Sequence, residues 1–446
     1  MRNPPERYLQ TLNEHFALIP GMLNVIASDQ AQGPKLLQIA PLTTNQDGKG
    51  TAFQRWFNFK EAFSPTFVTT AIESLGFKPT HVADPFGGSG TTAITSQLLG
   101  IDATTIEVNP FLADVIRSKV SHLSAEALRC QAVAFQARLT RTPSSMARLA
   151  HFPPTFIESE DKQRWIFPTQ VAKRLSQYLL CIDAIEDADI QRFFKVALGA
   201  IIIDCSNVYI NGKGRRYRGA WQDNQPTPEK LDELFAMQLN AAFEDVLRFE
   251  DRPRSRIHVV NGDVRCAFEQ VNQPADLIIF SPPYPNSFDY TDIYNVELWV
   301  LGYLKSSQDN LSLRRDTLRS HVQIHGAYEK PRHQSGCLDD TLAALYQQSE
   351  QLWDKSIPLM VGSYFHDIET VLTQCQRLLT ERGKVMMVVG DSRYAGVRIE
   401  VAAILTEIAK SMGFGTVITR EVRQMRSSAQ QGGRLQLSES IVELGL

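Results

Sequence analysis

The chain has 446 residues, enough for two or three domains or for one fold carrying large insertions. With 43% hydrophobic and 21% charged residues it can bury a sizeable core, no low-complexity tract is found, and no apolar run approaches the length a helix needs to span a bilayer. The formal net charge of −3 means that any polyanion must be bound by local basic clusters rather than by overall charge. The six cysteines are scattered, with no CxxC pair and no metal-ligand spacing to a histidine, so reduced thiols fit better than a disulfide framework or a zinc site. The start, MRNPPERYLQTLNEHF, has no apolar signal region, and a cytoplasmic location without membrane association is expected.

Residues 1–49 read as a helix followed by a polar loop through NQDGKG. FSPTFVTTAIESLGF reads as a helix with Pro65 in its first turn and Gly76 near its end. THVADPFGGSGTTAITSQLLG then gives a short apolar strand, a glycine-rich turn and an apolar helix, and DATTIEV supplies a second strand at once. Such a strand–turn–helix–strand unit begins a doubly wound sheet. Residues 121–255 change character: SAEALRCQAVAFQARL and PEKLDELFAMQLNAAFEDVL carry helical periodicity, and strand-like runs are few. Strand signals resume with RIHVVNGD, ADLIIFSPPY and GKVMMVVGD, while GFGTVITREV and SESIVELGL read as an antiparallel hairpin at the sheet edge. Residues 305–365 are polar and irregular, with short helical pieces.

The expected fold is α/β: a Rossmann-like, mostly parallel sheet closed by an antiparallel C-terminal hairpin and interrupted by two insertions. The corresponding division is an N-terminal extension (1–49), sheet-domain parts at 50–120, 256–304 and 366–446, a large helical insertion (121–255) and a smaller one (305–365).

The first chemical signal is the turn Asp84-Pro85-Phe86-Gly87-Gly88-Ser89-Gly90-Thr91, at the carboxyl end of a strand and opening a helix. Glycines let a ligand approach the backbone, and the helix N-terminus favours the negative end of what binds. No lysine follows Gly90, so the turn is not a phosphate-cradling P-loop, and the third glycine of a dinucleotide fingerprint is missing. What remains is a nucleoside with an amino-acid tail, or a purely structural βα turn. Glu107 favours the former, since it ends the next strand, seventeen positions past Gly90, where an acid can take both ribose hydroxyls.

The second signal is Ser281-Pro282-Pro283-Tyr284, directly after the apolar strand ADLIIF and hence at the same sheet edge. Two prolines fix the backbone and remove two N–H donors. Acceptors remain: the Ser281 side chain and the neighbouring carbonyls, with an aromatic ring beside them. Acceptors that hold the two hydrogens of an amino group on a planar base direct its lone pair outward, and Tyr284 can stack on a base drawn out of its helix. Alone, the tetrapeptide reads equally well as a rigid loop; its weight comes from its pairing with the glycine turn. Methylation at carbon 5 of cytosine would need a catalytic cysteine after a proline, and no Pro-Cys dipeptide occurs.

On these residues the chain resembles the S-adenosylmethionine-dependent DNA amino-methyltransferases, which modify N4 of cytosine or N6 of adenine. DPFGGSGTT is similar to their cofactor loop and SPPY to their catalytic tetrapeptide. The resemblance implies S-adenosyl-L-methionine as cofactor and DNA as substrate, with a cognate restriction endonuclease or other defence protein as the kind of partner to look for. It implies ribose binding by Glu107, with Val108 beside it, and an acid near the cofactor's adenine at Asp263, followed by Val264. RWFNFKEAFSPTFV resembles the segment that holds the methionine end, with Lys60, Phe63, Ser64 and Pro65 as candidates, and VVGDS, with Asp391, resembles the fifth strand beside the base pocket. Serine at the first tetrapeptide position favours cytosine N4 over adenine N6. In one respect the chain departs from the family pattern: the large insertion precedes the Asp263 strand.

Nucleic acid needs a basic face. The densest stretch is Asn211-Gly212-Lys213-Gly214-Arg215-Arg216-Tyr217-Arg218, read as a phosphate-contacting loop. Arg252, Arg254 and Arg256 form a second cluster, Arg314, Arg315 and Arg319 a third, and Arg420, Arg423, Arg426 and Arg434 bracket the last hairpin. Any one cluster equally suits a solvated face. Tyr290, Tyr294 and Trp299 could line a target pocket or pack as a core helix, and His321 with His325 has helical metal-ligand spacing but no supporting acid, so no metal is expected. Two other readings stand beside DNA methylation: an RNA amino-methyltransferase, and a catalytically silent DNA-binding subunit that kept the fold.

Overall fold

The computed structural model describes Thr43 and residues 50–211, 214–286, 288–324, 328–426 and 436–446. The expected N-terminal helix, Lys213, His325 and Arg434 lie outside the described residues.

Seven strands form the main sheet: β1 (His81–Asp84), β2 (Asp102–Glu107), β5 (Ile257–Asn261), β6 (Ala275–Phe280), β7 (Leu379–Gly390), β10 (Thr416–Arg426) and β11 (Gln436–Gly445). Two short pairs stand apart, β3 (Val208–Asn211) with β4 (Gly214–Tyr217) and β8 (Ser392–Tyr394) with β9 (Val397–Ile399). The order across the sheet is β10-β11-β7-β6-β1-β2-β5. β5, β2, β1, β6 and β7 are parallel, while β11 runs antiparallel to both β7 and β10. This is the doubly wound, mostly parallel sheet with an antiparallel C-terminal hairpin.

The chain winds outward from β1 through β2 to β5 on one side and from β6 to β7 on the other. β1 and β6 therefore flank the switch point, the place where open α/β sheets bind ligands beyond the strands' carboxyl ends. β6 is buried along its whole length, as its unbroken apolar sequence requires of a parallel strand covered on both faces. Leu277 and Ile279 pack with Phe67, Val68 and Ile72 of the helix Pro65–Glu73 on one face. Ile278 and Phe280 pack with the helices Ile357–Leu378 and Val401–Ser411 on the other.

The region between β2 and β5 is helical, with helices Ala125–Leu139, Thr169–Asp183, Ala188–Ile201 and Pro228–Arg248. Their apolar faces share one core with Phe53, Trp56 and the helix Pro110–Val120. Two features were not expected. β3 and β4 make an antiparallel hairpin where a basic loop was read, with Tyr209 opposite Arg216. The helix Ile357–Leu378 runs across the boundary drawn at residue 365, so the end of the polar segment is a core helix. Among the described residues no helix is long and apolar enough to cross a membrane.

Candidate active site

At the switch point a cavity of about 360 Å³ opens between the ends of β1, β2 and β6, within the roughly 300–1,000 Å³ usual for small-ligand sites. Its lining includes Asp84, Pro85, Phe86, Gly87, Gly88, Ser89 and Thr91 from the glycine turn, and all four residues Ser281, Pro282, Pro283 and Tyr284. The two motifs lie about two hundred residues apart in sequence and meet because β1 and β6 are paired neighbours.

The turn is built to bring backbone close. Gly88 has φ of 52°, and a Cβ there would come within 2.8 Å of Phe59 Cε1. Its N–H donates to Glu107 Oε2 at 2.7 Å, while Glu107 Oε1 accepts the Asn109 N–H at 2.8 Å. Asn109 in turn caps the helix Pro110–Val120 by accepting from the Phe111 and Leu112 amides. Burial, helped by the neighbouring Asp84, pushes the Glu107 carboxyl up to about 8 against the pull of these two N–H donors. Asp84, also buried, is pushed up to about 7. From behind, the fully buried Lys119 donates its Nζ proton to the Ser89 carbonyl at 2.6 Å.

The tetrapeptide presents acceptors. Ser281 Oγ donates its proton to the Val388 carbonyl of β7 at 3.0 Å, so toward any other group its oxygen can act only as an acceptor. The Tyr284 ring lies against Gly390, where a Cβ would meet Tyr284 Cδ2 at 2.7 Å. Its hydroxyl donates to Glu439 Oε1 at 3.1 Å, and Glu439 is gripped by Arg423 through two bonds of 2.7 and 2.9 Å. Both residues of that pair come from the C-terminal hairpin and line the cavity.

Of the other expected cofactor residues, Lys60, Phe63, Val108 and Val264 line the cavity. Ser64, Pro65, Gly90 and Asp263 do not appear in the lining. Ser64 caps its helix by accepting from the Phe67 amide, Pro65 opens that helix, and Gly90 packs against Ile116. Asp263 is held by Arg265, with its carboxylate accepting bonds of 2.8 to 3.0 Å from that guanidinium. Tyr290 and Tyr294 line the cavity, whereas Trp299 is buried against Phe156 and His151. The Tyr294 hydroxyl donates to Glu61 Oε2 at 2.9 Å, and burial raises the Glu61 carboxyl.

The basic clusters divide sharply. Arg252 is 4% exposed and donates to Gln97 and to the Phe249, Lys119 and Ser121 carbonyls, so it is a core residue and not a phosphate contact. Arg314 is held by Asp289 and Asp292, Arg319 by Asp367, and Arg218 by the Ser206 and Ile203 carbonyls. Arg216 is exposed on β4, and Arg215 lies 5.9 Å from the Phe156 ring. The hairpin sits beside the cavity: Lys60 Nζ donates to the Ile210 carbonyl at 3.4 Å, and β4 packs on the helix Tyr290–Ile293. Arg426 ends β10, opposite Gln436, and its side chain lies outside what is described. Among the described residues no group of three or more His, Cys, Asp or Glu could hold a metal ion.

Sequence reasoning missed Glu61, His321, Arg423 and Glu439 as cavity residues. Glu439 shares its strand sequence SESIVEL with a second acid, Glu443, and nothing local sets it apart as a cavity residue.

No family model matches the chain. It is 28% identical over 417 residues, 87% of this chain and 84% of the relative, to the type II methyltransferase M.AvaI of Nostoc sp., and equally to the M.AvaI of Anabaena variabilis. It is 25% identical over 461 residues, 90% of this chain and 87% of the relative, to the type II methyltransferase M.BsoBI of Geobacillus stearothermophilus. Similarity to type II methyltransferases over most of the chain supports the resemblance to the DNA amino-methyltransferases. The chain spans most of the length of these relatives. The rRNA methyltransferase aviRa from Streptomyces viridochromogenes covers 86% of the chain, and 84% of its own, at 10% identity, but its TM-score of 0.27 carries no argument.

Proposed function

We propose that the protein methylates an exocyclic amino group of a base in DNA at a specific site, with N4 of cytosine favoured over N6 of adenine. The observation that carries this reading is the shared cavity, in which a glycine turn and an Ser-Pro-Pro-Tyr turn stand at neighbouring strand ends. The similarity to type II methyltransferases supports DNA as substrate and S-adenosyl-L-methionine as methyl donor.

The donor fits the residues present: the Gly88 position admits no Cβ beside Phe59, and a buried acid stands at the next strand end. S-adenosyl-L-methionine, when bound, supplies an electrophilic sulfonium methyl. Glu107 would accept the ribose hydroxyls, the turn from Asp84 to Thr91 would cradle the nucleoside and its tail, and Lys60 and Phe63 would meet the methionine end. Val108 and Val264 would flank the adenine. Asp263, Ser64 and Pro65 would act one layer behind, through Arg265 and through the helix that Ser64 caps.

Ser281 and the Pro282 carbonyl would accept the two amino hydrogens, which turns the nitrogen lone pair away from them. The Ser281 proton already serves Val388, so the hydroxyl oxygen faces the base as an acceptor only. Tyr284 would stack on the extruded base, its ring fixed by Gly390 beneath and Glu439 at its hydroxyl. The chain's contribution is positioning, which can supply ~7–11 kcal/mol of a barrier. The β3–β4 hairpin, with Arg215 and Arg216, is the candidate strand contact of the helical insertion; Arg218 serves that hairpin from within.

The test is methyl incorporation from labelled S-adenosyl-L-methionine into unmodified DNA, with Ser281→Ala and Tyr284→Ala beside the wild type. Loss of transfer with cofactor binding kept supports the assignment, and undiminished transfer in both variants refutes it.

A further inference from the structure

One wall of the cavity is the segment 316–321, which contributes Asp316, Thr317, Leu318, Ser320 and His321 to the lining. Its beginning lies at the end of the cavity assigned to the cofactor's adenine. There Arg265, which holds Asp263, donates to the Arg315 carbonyl at 2.7 Å, and the charge of Asp263 helps raise the Asp316 carboxyl. Its far end lies against the stretch that follows the tetrapeptide. His321 Nε2 stands 3.8 Å from Asp289 Oδ1, and Asp289 caps the helix that brings Tyr290 and Thr291 into the cavity.

His321 is 2% exposed, and among the described residues neither ring nitrogen has a hydrogen-bond partner. Burying an imidazole without partners is unfavourable, and buried polar groups in native proteins are nearly always satisfied. Asp289 is not the missing partner. Its Oδ1 accepts from the Thr291 amide and hydroxyl, its Oδ2 accepts from Arg314, and 3.8 Å is too long for a hydrogen bond. Burial, with the Arg314 charge, outweighs the pull of Asp289 and disfavours protonation of His321, so the neutral ring offers one donor and one acceptor. A side chain of this kind in a ligand cavity is satisfied when the ligand arrives. In cytosine and in adenine the ring nitrogen next to the amino-bearing carbon carries a lone pair, the complement of an imidazole N–H.

We propose that His321 is a specificity-determining residue of this site, its imidazole hydrogen-bonding the ring edge of the base whose amino group is methylated. The inference rests on the proposed amino-methylation and adds the group that reads the base beside the amino nitrogen. Tyr284 recognises any planar ring, and the acceptors at Ser281 and Pro282 recognise any amino group. His321 contributes the in-plane contact that requires a ring acceptor.

The experiment compares wild type, His321→Ala and His321→Asn on unmethylated plasmid DNA. It then compares them on a duplex carrying the site mapped on that plasmid, with the target base's ring nitrogen replaced by C–H. Binding of S-adenosylhomocysteine is measured by calorimetry in parallel. His321→Ala is expected to lower kcat/KM roughly tenfold or more on normal DNA. S-adenosylhomocysteine affinity should stay within about twofold, since the contact is to the base and not to the cofactor. His321→Asn should recover part of the loss, and the penalty should vanish on the C–H duplex. An unchanged rate, a penalty of the same size on the C–H duplex, or a parallel fall in S-adenosylhomocysteine affinity overturns the proposal. A wild type that binds S-adenosylhomocysteine but labels no DNA refutes the amino-methylation reading itself, and the base contact with it.

Discussion

Cofactor binding should depend on pH through Glu107. In the free protein burial and Asp84 push this carboxyl up to about 8. Ribose hydroxyls are donors and select the carboxylate, so the ligand must lower that value and release a proton on binding. The sign follows: affinity rises with pH until it levels off above about 8, and falls as pH drops below it. With a free value near 8, about one Glu107 in ten is ionised at pH 7, so binding there is roughly tenfold weaker than at its alkaline limit, ~1.4 kcal/mol. The assay is calorimetry from pH 6.5 to 9 with 5′-methylthioadenosine, which carries adenine and ribose but no α-amino group to titrate. Glu107→Gln keeps Asp84 and an acceptor for one of the two amides but removes the titrating group, and should bind at least tenfold more weakly at pH 9 and show a flatter profile. Equal slopes in wild type and Glu107→Gln, or a wild-type affinity independent of pH, would refute the reasoning.

Gly390→Ala should push the Tyr284 ring out of place, since the new Cβ meets that ring and Met425 Cε at 2.7 Å; single-turnover methyl transfer should fall ~100-fold with cofactor affinity kept. Glu439→Gln should lower kcat severalfold without weakening cofactor binding, because it alters the acceptor of the Tyr284 hydroxyl and leaves Arg423 without its ion pair. Arg216→Ala should weaken DNA binding about equally for all sequences and reduce the salt slope by about one, as read from binding titrations at several salt concentrations. Arg252→Ala should leave that slope unchanged and instead cost ~1–3 kcal/mol of stability in urea unfolding, since Gln97 and the buried carbonyls that its guanidinium satisfies lose their donor.

The parts of the fold that were legible are those whose physics is local. ADLIIF reads as an apolar strand, Pro65 as the first turn of a helix, and the glycine and proline turns follow strands directly. The sheet then brings the two turns together, and that step needs only the rule that ligands gather at the switch point. The β3–β4 hairpin was hidden because its basic residues drew the reading toward a loop, although Asn211-Gly212 is itself a hairpin signal. The helix Ile357–Leu378 was cut because polar residues just before it masked its start, while Val361, Tyr364, Phe365 and Ile368 already kept helical spacing. The site was half legible for a different reason. Glu61, His321 and Glu439 reach the cavity through long-range pairings that leave no local pattern. The arginine clusters misled in the opposite way, since sequence proximity says nothing about the carboxylates and carbonyls that Arg252, Arg314 and Arg319 meet in the fold.

The central claim is that the two turns at the ends of β1 and β6 form one site where a base amino group in DNA receives a methyl. Its most direct test is to incubate the protein with labelled S-adenosyl-L-methionine and unmethylated DNA, digest to nucleosides and separate them by chromatography and mass spectrometry. The account predicts label in N4-methyldeoxycytidine and none in tRNA or rRNA treated in the same way. Label in RNA, label at carbon 5 of cytosine, or an unlabelled digest would contradict it.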